Sequence, residues 1–429
     1  MSSPDSAPVV DLPRWQLLAY GALGLPLAMA ALPVYVHVPR LYAEAAGMSL
    51  GVLGALLLGA RLLDAGIDPL LGAWSDRAAN RQRLIVLALP CLALGMLALL
   101  QPPASGAGWW LLASLLLTYF GFSLASVAYQ AWGAELGRDA GERTRLTASR
   151  EGFGLLGVVL AAALPGLIAS DLAGGLAALA QLFPLLLLAL AACTLSFSPP
   201  SAARLPASSS VVGDLRGVAA DGRFRRLLAV FVVNGIAAAL PATLVLFYVA
   251  DVLNAEAWSG AFLALYFVSG VVFLPLWVIA ARRFGRVRTW VAAMLLAVVS
   301  FAWAWGLGAG DVWPFAAVCL LSGAALGADL TLPAALLADL SEQRGDAAPA
   351  GGRVAHAGAY FGWWNLVAKL NLALAAGLSL PLLDVVGYQP GVAATSSGLA
   401  AIYCLLPLLF KTLAALLAWR WRTTLEGWS

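Results

Sequence analysis

Residues 61–83 read RLLDAGIDPLLGAWSDRAANRQR, and the fold is decided by how this stretch is read. The residues before it, Ser49 to Ala60, carry no charge. Arg61, Asp64 and Asp68 then follow at i, i+3 and i+7, so a helix places all three on one face. A charge at mid-bilayer costs about 2.5–3.5 kcal/mol on insertion scales, so such a face is expected to meet a cavity or a partner. The stretch leaves the apolar region as Gly72-Ala-Trp-Ser-Asp76-Arg77, followed by Arg81 and Arg83. A buried acid pair running into a short basic turn suggests a cation site joined to a gate. A purely structural reading, with Arg61 neutralising Asp64 and Asp68 sitting at a break made by Pro69, needs only one acid. The second carboxylate favours function.

Composition bounds the class. Of 429 residues 62% are hydrophobic and only 11% charged, and mean hydropathy is +0.88. Soluble domains carry about a quarter charged residues, so a helical membrane protein is expected. Cys91, Cys193, Cys319 and Cys404 stand singly in apolar runs, which indicates neither a disulfide framework nor a metal cluster. His37 and His356 are the only histidines. Asp5 and Asp11 precede an apolar run too long for a cleavable signal, so a short tail before a first span is expected.

Twelve apolar segments are long enough to span, near residues 15–38, 49–74, 84–103, 107–134, 147–169, 175–197, 227–250, 258–281, 289–309, 312–338, 356–383 and 397–419. The polar stretch Ser198 to Arg226 divides them, giving an N-terminal six-helix half (1–197), a linker (198–226) and a C-terminal six-helix half (227–429). With both termini placed in the cytoplasm, 21 of the 25 basic residues fall on the tails or the even-numbered connections. The opposite connections carry Glu44, Asp171, Asp251, Glu256, Asp311 and Asp384. An integral protein of a bacterial inner (plasma) membrane, with both termini cytoplasmic, is expected.

The halves also echo each other. GAWSDRAANRQR follows the second segment of the first half, and Ala281-Arg-Arg-Phe-Gly-Arg286-Val-Arg288 follows the second segment of the other. Parallel six-helix repeats related by an axis along the membrane normal point to the major facilitator fold, an all-α transporter.

Three stretches resemble one branch of that superfamily, the glycoside-pentoside-hexuronide:cation symporters (melibiose permease-like). They are Arg61-Leu-Leu-Asp64-Ala-Gly-Ile-Asp68-Pro69; Ala131-Trp-Gly-Ala-Glu135 through Glu142-Arg143 to Arg150-Glu151; and Leu337-Ala-Asp339 with Gly362-Trp-Trp-Asn365-Leu-Val-Ala-Lys369. The resemblance implies that Asp64 and Asp68 bind the coupling cation, with Ser123 standing near the family's hydroxyl ligand. It departs at helix one, where Tyr20-Gly-Ala-Leu-Gly24 leads into Leu25 and Pro26 without the carboxylate of the sugar permeases. It departs again at Ser126, near the place of a second sugar-holding acid, and at Ile67, where sodium users place an asparagine.

The remaining candidates follow from residue type. Lys369, deep in segment eleven, is expected to face the cavity and meet an acid or the solute. Arg150, Tyr20, Tyr129, Trp132 and Trp364 are the other candidate solute contacts, with Trp363 as a further cavity aromatic. Arg61, Asp76, Arg77, Glu142, Arg143, Asp329 and Asp339 form a candidate gating and charge network. In it Arg61 offsets one acid, Glu142, Arg143 and Asp339 pair between the halves, and Asp329 pairs with Lys369 or joins the solute path. Lys411 is expected to snorkel, and Trp15, Trp109 and Trp110 to form an interfacial belt. The expected function is symport of a small organic solute, a sugar or glycoside, coupled to a proton or sodium by alternating access. A lipid-like or other amphipathic solute and a non-transporting sensor are the alternatives. No catalytic constellation, cofactor or metal beyond sodium is indicated. The partners expected are the solute and the bilayer, with no nucleic acid, and the chain is expected to be a monomer.

Overall fold

The computed structural model describes residues 12–45, 48, 50–78, 80–103, 105–169, 172–200, 210–346, 356–388 and 396–426. The tail with Asp5 and Asp11, the centre of the linker and Asp171 lie outside the described residues, as do the side chains of Arg40, Glu44 and Asp384. Among the described residues every regular element is a helix. The N-terminal half runs α1 (Arg14–Ala22), α2 (Gly24–Val36), α3 (Val38–Ala45), α4 (Leu50–Arg77), α5 (Arg81–Leu99), α6 (Ala107–Leu136), α7 (Ala140–Ile168) and α8 (Leu172–Phe197). A linker helix, α9 (Val211–Ala220), comes next. The C-terminal half follows as α10 (Gly222–Phe247), α11 (Ser259–Phe284), α12 (Arg286–Ala304), α13 (Val312–Asp346), α14 (Ala357–Val385), α15 (Ser396–Arg420) and α16 (Arg422–Glu426).

Among the described residues, nine helices are long and apolar enough to cross a bilayer by length and composition. The other expected spans correspond to α4, α14 and a first span split at Leu23 into α1 and α2. The split has a local cause. Pro26 has no N–H to give the carbonyl one turn back, and the Tyr20-Gly-Ala-Leu-Gly24 stretch presses against α7. A Cβ on Gly21 would meet Ser149 Oγ at 2.2 Å, and one on Gly24 would meet the Arg150 carbonyl at 2.5 Å. The glycines of helix one therefore serve close packing. The polar linker also holds more order than its composition suggests: Ser210 caps α9 by accepting from Gly213 N at 3.0 Å, and Val218 is buried.

Lipid gives helices no hydrophobic reason to associate, so close backbone approach through small residues takes over. It is clearest between the halves, where α4 lies along α14. A Cβ on Gly72 would meet the Gly358 carbonyl at 2.1 Å, and one on Gly358 would meet the Gly72 carbonyl at 2.2 Å. Gly362 sits equally close, 2.6 Å from the Asp68 carbonyl by the same construction.

The face carrying the basic turns is where the halves lock. Arg81, the first residue of α5, pairs through Nε with Glu135 and through Nη2 with Asp76, each at 2.8 Å. Arg286, the first residue of α12, pairs with Asp339 at 2.9 Å. The repeat seen in the sequence is thus structural: an arginine opening the third helix of each half holds an acid near the end of the fourth. Each node then reaches the other half. Asp76 accepts from Gly358 N and Ala359 N at 2.7 and 2.8 Å, which caps the start of α14. Asp339 pairs with Arg143 near the start of α7 at 2.5 Å. Glu142 departs from the expected inter-half role. It stays in its own half, accepting from Leu12 N at 3.0 Å and pairing with Arg138 at 2.8 Å. Arg77 binds Asp214 of α9 at 2.7 Å, tying the linker to the same face.

Gly72→Ala should weaken the α4–α14 contact, since overpacking of this kind costs about 1–3 kcal/mol. A lower melting temperature in thermal unfolding of the purified protein is the expected result. An unchanged melting temperature for both Gly72→Ala and Gly358→Ala would contradict the close approach.

Candidate functional site: a charge cluster between the halves

Three helices from two halves bring four polar side chains together. Asp64 and Asp68 come from α4, Ser123 from α6 and Lys369 from α14. The Lys369 ammonium lies 2.7 Å from Asp64 Oδ2 and 2.7 Å from Asp68 Oδ2. It also donates to Ser123 Oγ at 2.8 Å, and that hydroxyl donates to Asp64 Oδ1 at 2.7 Å. Asp64 is 4% exposed and Asp68 0%. A buried carboxylate is tolerated only when its charge is matched and its lone pairs are occupied.

The two acids differ in that respect. Asp64 has a hydroxyl donor on one oxygen and the ammonium against the other. Asp68 has the ammonium 2.7 Å from Oδ2, while its Oδ1 receives no hydrogen bond. Two carboxylates also outnumber the one ammonium in contact with them. A cavity of about 10 Å³, lined by Asp64, Ala30, Thr118, Tyr119 and Phe122 among others, adjoins the cluster. That is room for about one water-sized particle. The residues present therefore fit a single small cation or a proton.

Several expectations are met differently. The charge held directly against Asp64 and Asp68 is that of Lys369, which helix crossing brings in from the other half. Lys369 accordingly joins the acids rather than a separate solute site. Asp329 pairs with Lys411, not Lys369, and its second oxygen accepts from Trp290 Nε1 at 2.9 Å. Lys411 does not snorkel: it is 4% exposed, held inside the C-terminal half by that pair.

The candidate solute contacts are placed elsewhere. Tyr20, Tyr129 and Trp132 pack together inside the N-terminal half, with ring centroids 4.7 Å (Tyr20–Tyr129) and 5.8 Å (Tyr20–Trp132) apart. Tyr20 and Tyr129 each donate to the other's backbone carbonyl. Gly133 leaves the room that the Tyr20 hydroxyl fills. Trp364 stacks on Phe231 at 3.6 Å, and Trp363 Nε1 reaches the Leu215 carbonyl of the linker helix at 3.3 Å. Arg150 is paired with its neighbour Glu151 at 2.6 Å. Trp15, Trp109 and Trp110 are all exposed, as an interfacial belt requires. A site the sequence reading missed lies in the C-terminal half, where Tyr266, Tyr403, Asp329 and Lys411 line one cavity. A tyrosine inside an apolar span was the available signal.

A twelve-helix bundle in two halves, with paired charges buried between them, defines a major facilitator transporter. The family model for MFS/sugar transport proteins matches residues 17–424, and the chain belongs to that family. It is a transporter rather than an enzyme. Solved structures agree in fold. A bacterial homologue of the iron transporter ferroportin, in its outward-facing state, superposes with a TM-score of 0.69 at 17% identity, covering 96% of this chain and 100% of that one. The human organic anion transporter MFSD10 (TETRAN) gives 0.66 at 19% identity, covering 93% and 100%. The E. coli fucose:proton symporter FucP (N162A) gives 0.67 at 14%, covering 93% and 98%. No curated protein matches the sequence.

Removing the ammonium should leave two carboxylates facing each other without a counter-charge. Breaking a buried pair costs about 3–5 kcal/mol, so Lys369→Met should melt well below the native protein. Adding Asp68→Asn to Lys369→Met should recover much of the loss. Equal melting of the native protein and Lys369→Met would show that the cluster carries no such charge balance.

Proposed function

We propose that the protein is a cation-coupled symporter of a small organic solute, with Asp64, Asp68 and Ser123 as the cation site. The observation that carries this reading is Asp68, fully buried beside Asp64 with the single Lys369 ammonium shared between the two and no donor on its Oδ1. Such a group is explained by a ligand it is built to receive. In the arrangement seen here Lys369 stands in for that ligand, as a cation tethered to the other half. When a proton or sodium binds the acids, the ammonium loses much of its attraction to α4. The tie between α4 and α14 is then released. Differential attraction of this kind is what lets a ligand shift a conformational equilibrium.

The Asp76–α14 and Asp339–Arg143 contacts would close the basic face while the opposite side admits solute. In this reading the positive-inside rule puts the basic face and both termini on the cytoplasmic side, and the membrane is taken to be a bacterial inner membrane. The chain works as a monomer in this scheme, since both halves of the site lie within it. The acids and Ser123 offer few oxygens to sodium, which favours the proton.

Asp64→Asn and Asp68→Asn keep the shape of the site and remove the charge that attracts a cation. Reconstituted vesicles with an imposed proton or sodium gradient should concentrate solute with the native protein and fail to do so with either variant. Downhill exchange should persist in the variants. Native-level accumulation by both variants would make the acid pair structural, and a native protein that moves no solute would favour the sensor.

A further inference from the structure

The C-terminal half contains a cavity of about 150 Å³ that shares no residue with the acid cluster. α10 supplies Ala237, Pro241 and Ala242, α11 supplies Phe262, Tyr266 and Phe267, and Val318 and Leu326 come from α13. Its walls are almost wholly apolar, and its polar groups are few and specific. Asp329 and Lys411 sit at its edge, with the hydroxyls of Tyr266 and Tyr403.

The polar groups are unequal in what they still offer. Both oxygens of Asp329 are occupied, one by Trp290 and the other by Lys411. Lys411 is an ammonium with three N–H groups, and Asp329 is its one acceptor among the described residues. The Tyr266 and Tyr403 hydroxyls make no hydrogen bond among the described residues. Ser322, the other hydroxyl in the lining, is already turned to the Val318 carbonyl at 2.7 Å. What remains unspent around the cavity is therefore donor capacity, set in an apolar, aromatic enclosure.

We propose that this cavity is the solute recess of the transporter, and that it selects an uncharged, largely apolar molecule of about benzene size carrying one oxygen acceptor such as a ketone carbonyl. The proposal rests on the transport reading above and names its substrate class. A dry apolar cavity of about 150 Å³ is large enough for benzene, and Lys411 with the two phenols supplies the donors that orient an oxygen. A carboxylate would meet the negative charge of Asp329 in a low dielectric, which disfavours it. A hexose would bury more hydroxyls than the recess can partner, each at a desolvation cost.

The test uses the full chain in lipid nanodiscs with 4-fluoroacetophenone as the probe, read by fluorine NMR line broadening. The native protein should bind it saturably, and bind its hydrocarbon isostere 4-fluorocumene and the anion 4-fluorobenzoate at least tenfold more weakly, by about 1.4 kcal/mol per tenfold. Ala242→Phe, at an exposed position of the lining, should abolish binding without disturbing the core. Tyr403→Phe should weaken it about fivefold, the effect of one hydrogen bond. Equal binding of the ketone and the hydrocarbon, or equal binding by native protein and Ala242→Phe, would overturn the recess. Proteoliposome uptake of the ketone separates the two readings: saturable binding with no uptake overturns transport and leaves the recess standing. Uptake that Ala242→Phe leaves intact overturns the recess and leaves transport standing.

Discussion

Two carboxylates and one ammonium at mid-membrane set the terms for this molecule. None of the three can be left unmatched in a medium that solvates ions poorly. Because the acids belong to α4 and the lysine to α14, matching them draws the halves together. The close glycine contacts at Gly72, Gly358 and Gly362 follow the same seam. Charge balance and helix packing thus act on one interface. A ligand that changes the first acts on the second.

The basic face repeats this logic at the membrane surface. Arg81 and Arg286 occupy equivalent places in the two halves, each opening a helix and each holding an acid on the next. The acid nodes cross in complementary ways: Asp76 caps α14, and Asp339 holds Arg143 of α7. Capping uses backbone amides that have no intrahelical partner, so the contact at Asp76 depends on the position of α14 and not on a flexible side chain. Rotation of one half against the other would break both contacts together. That is the behaviour a two-state gate requires.

Much of this was legible in the sequence. The mean hydropathy, the twelve segments and the asymmetry of Lys and Arg lead to the bundle without any structure. Asp64 and Asp68 stand out because three charges in an apolar helix need a reason, and Arg143 with Asp339 reads as a link between the halves. Which lysine meets which acid was not legible. Lys369 and Lys411 are both lone cations in apolar spans, and the acid pair Asp64 and Asp68 and the single Asp329 are equally open partners for either. Only the crossing of helices distant in sequence assigns Lys369 to one pair and Lys411 to the other. The aromatic residues were misleading for a related reason. Tyr20, Tyr129 and Trp132 carry polar atoms that suggest a cavity, yet backbone carbonyls and neighbouring rings take up the two tyrosines and pack all three inward. Helical spacing points from Asp64 to Arg61, but the charge lying 2.7 Å from Asp64, that of Lys369, comes from another helix.

The central claim is that the acids' hold on Lys369 keeps the halves closed on the basic face. Spin labels at Arg83, exposed at the start of α5, and at Arg283, exposed at the end of α11, report that closure from opposite halves. Distances between them can be measured by pulsed electron resonance in the native background and with Asp64→Asn and Asp68→Asn combined. The account predicts a short, narrow distribution for the native acids and a shift to longer distances when both are neutralised. Identical distributions in the two backgrounds would contradict it.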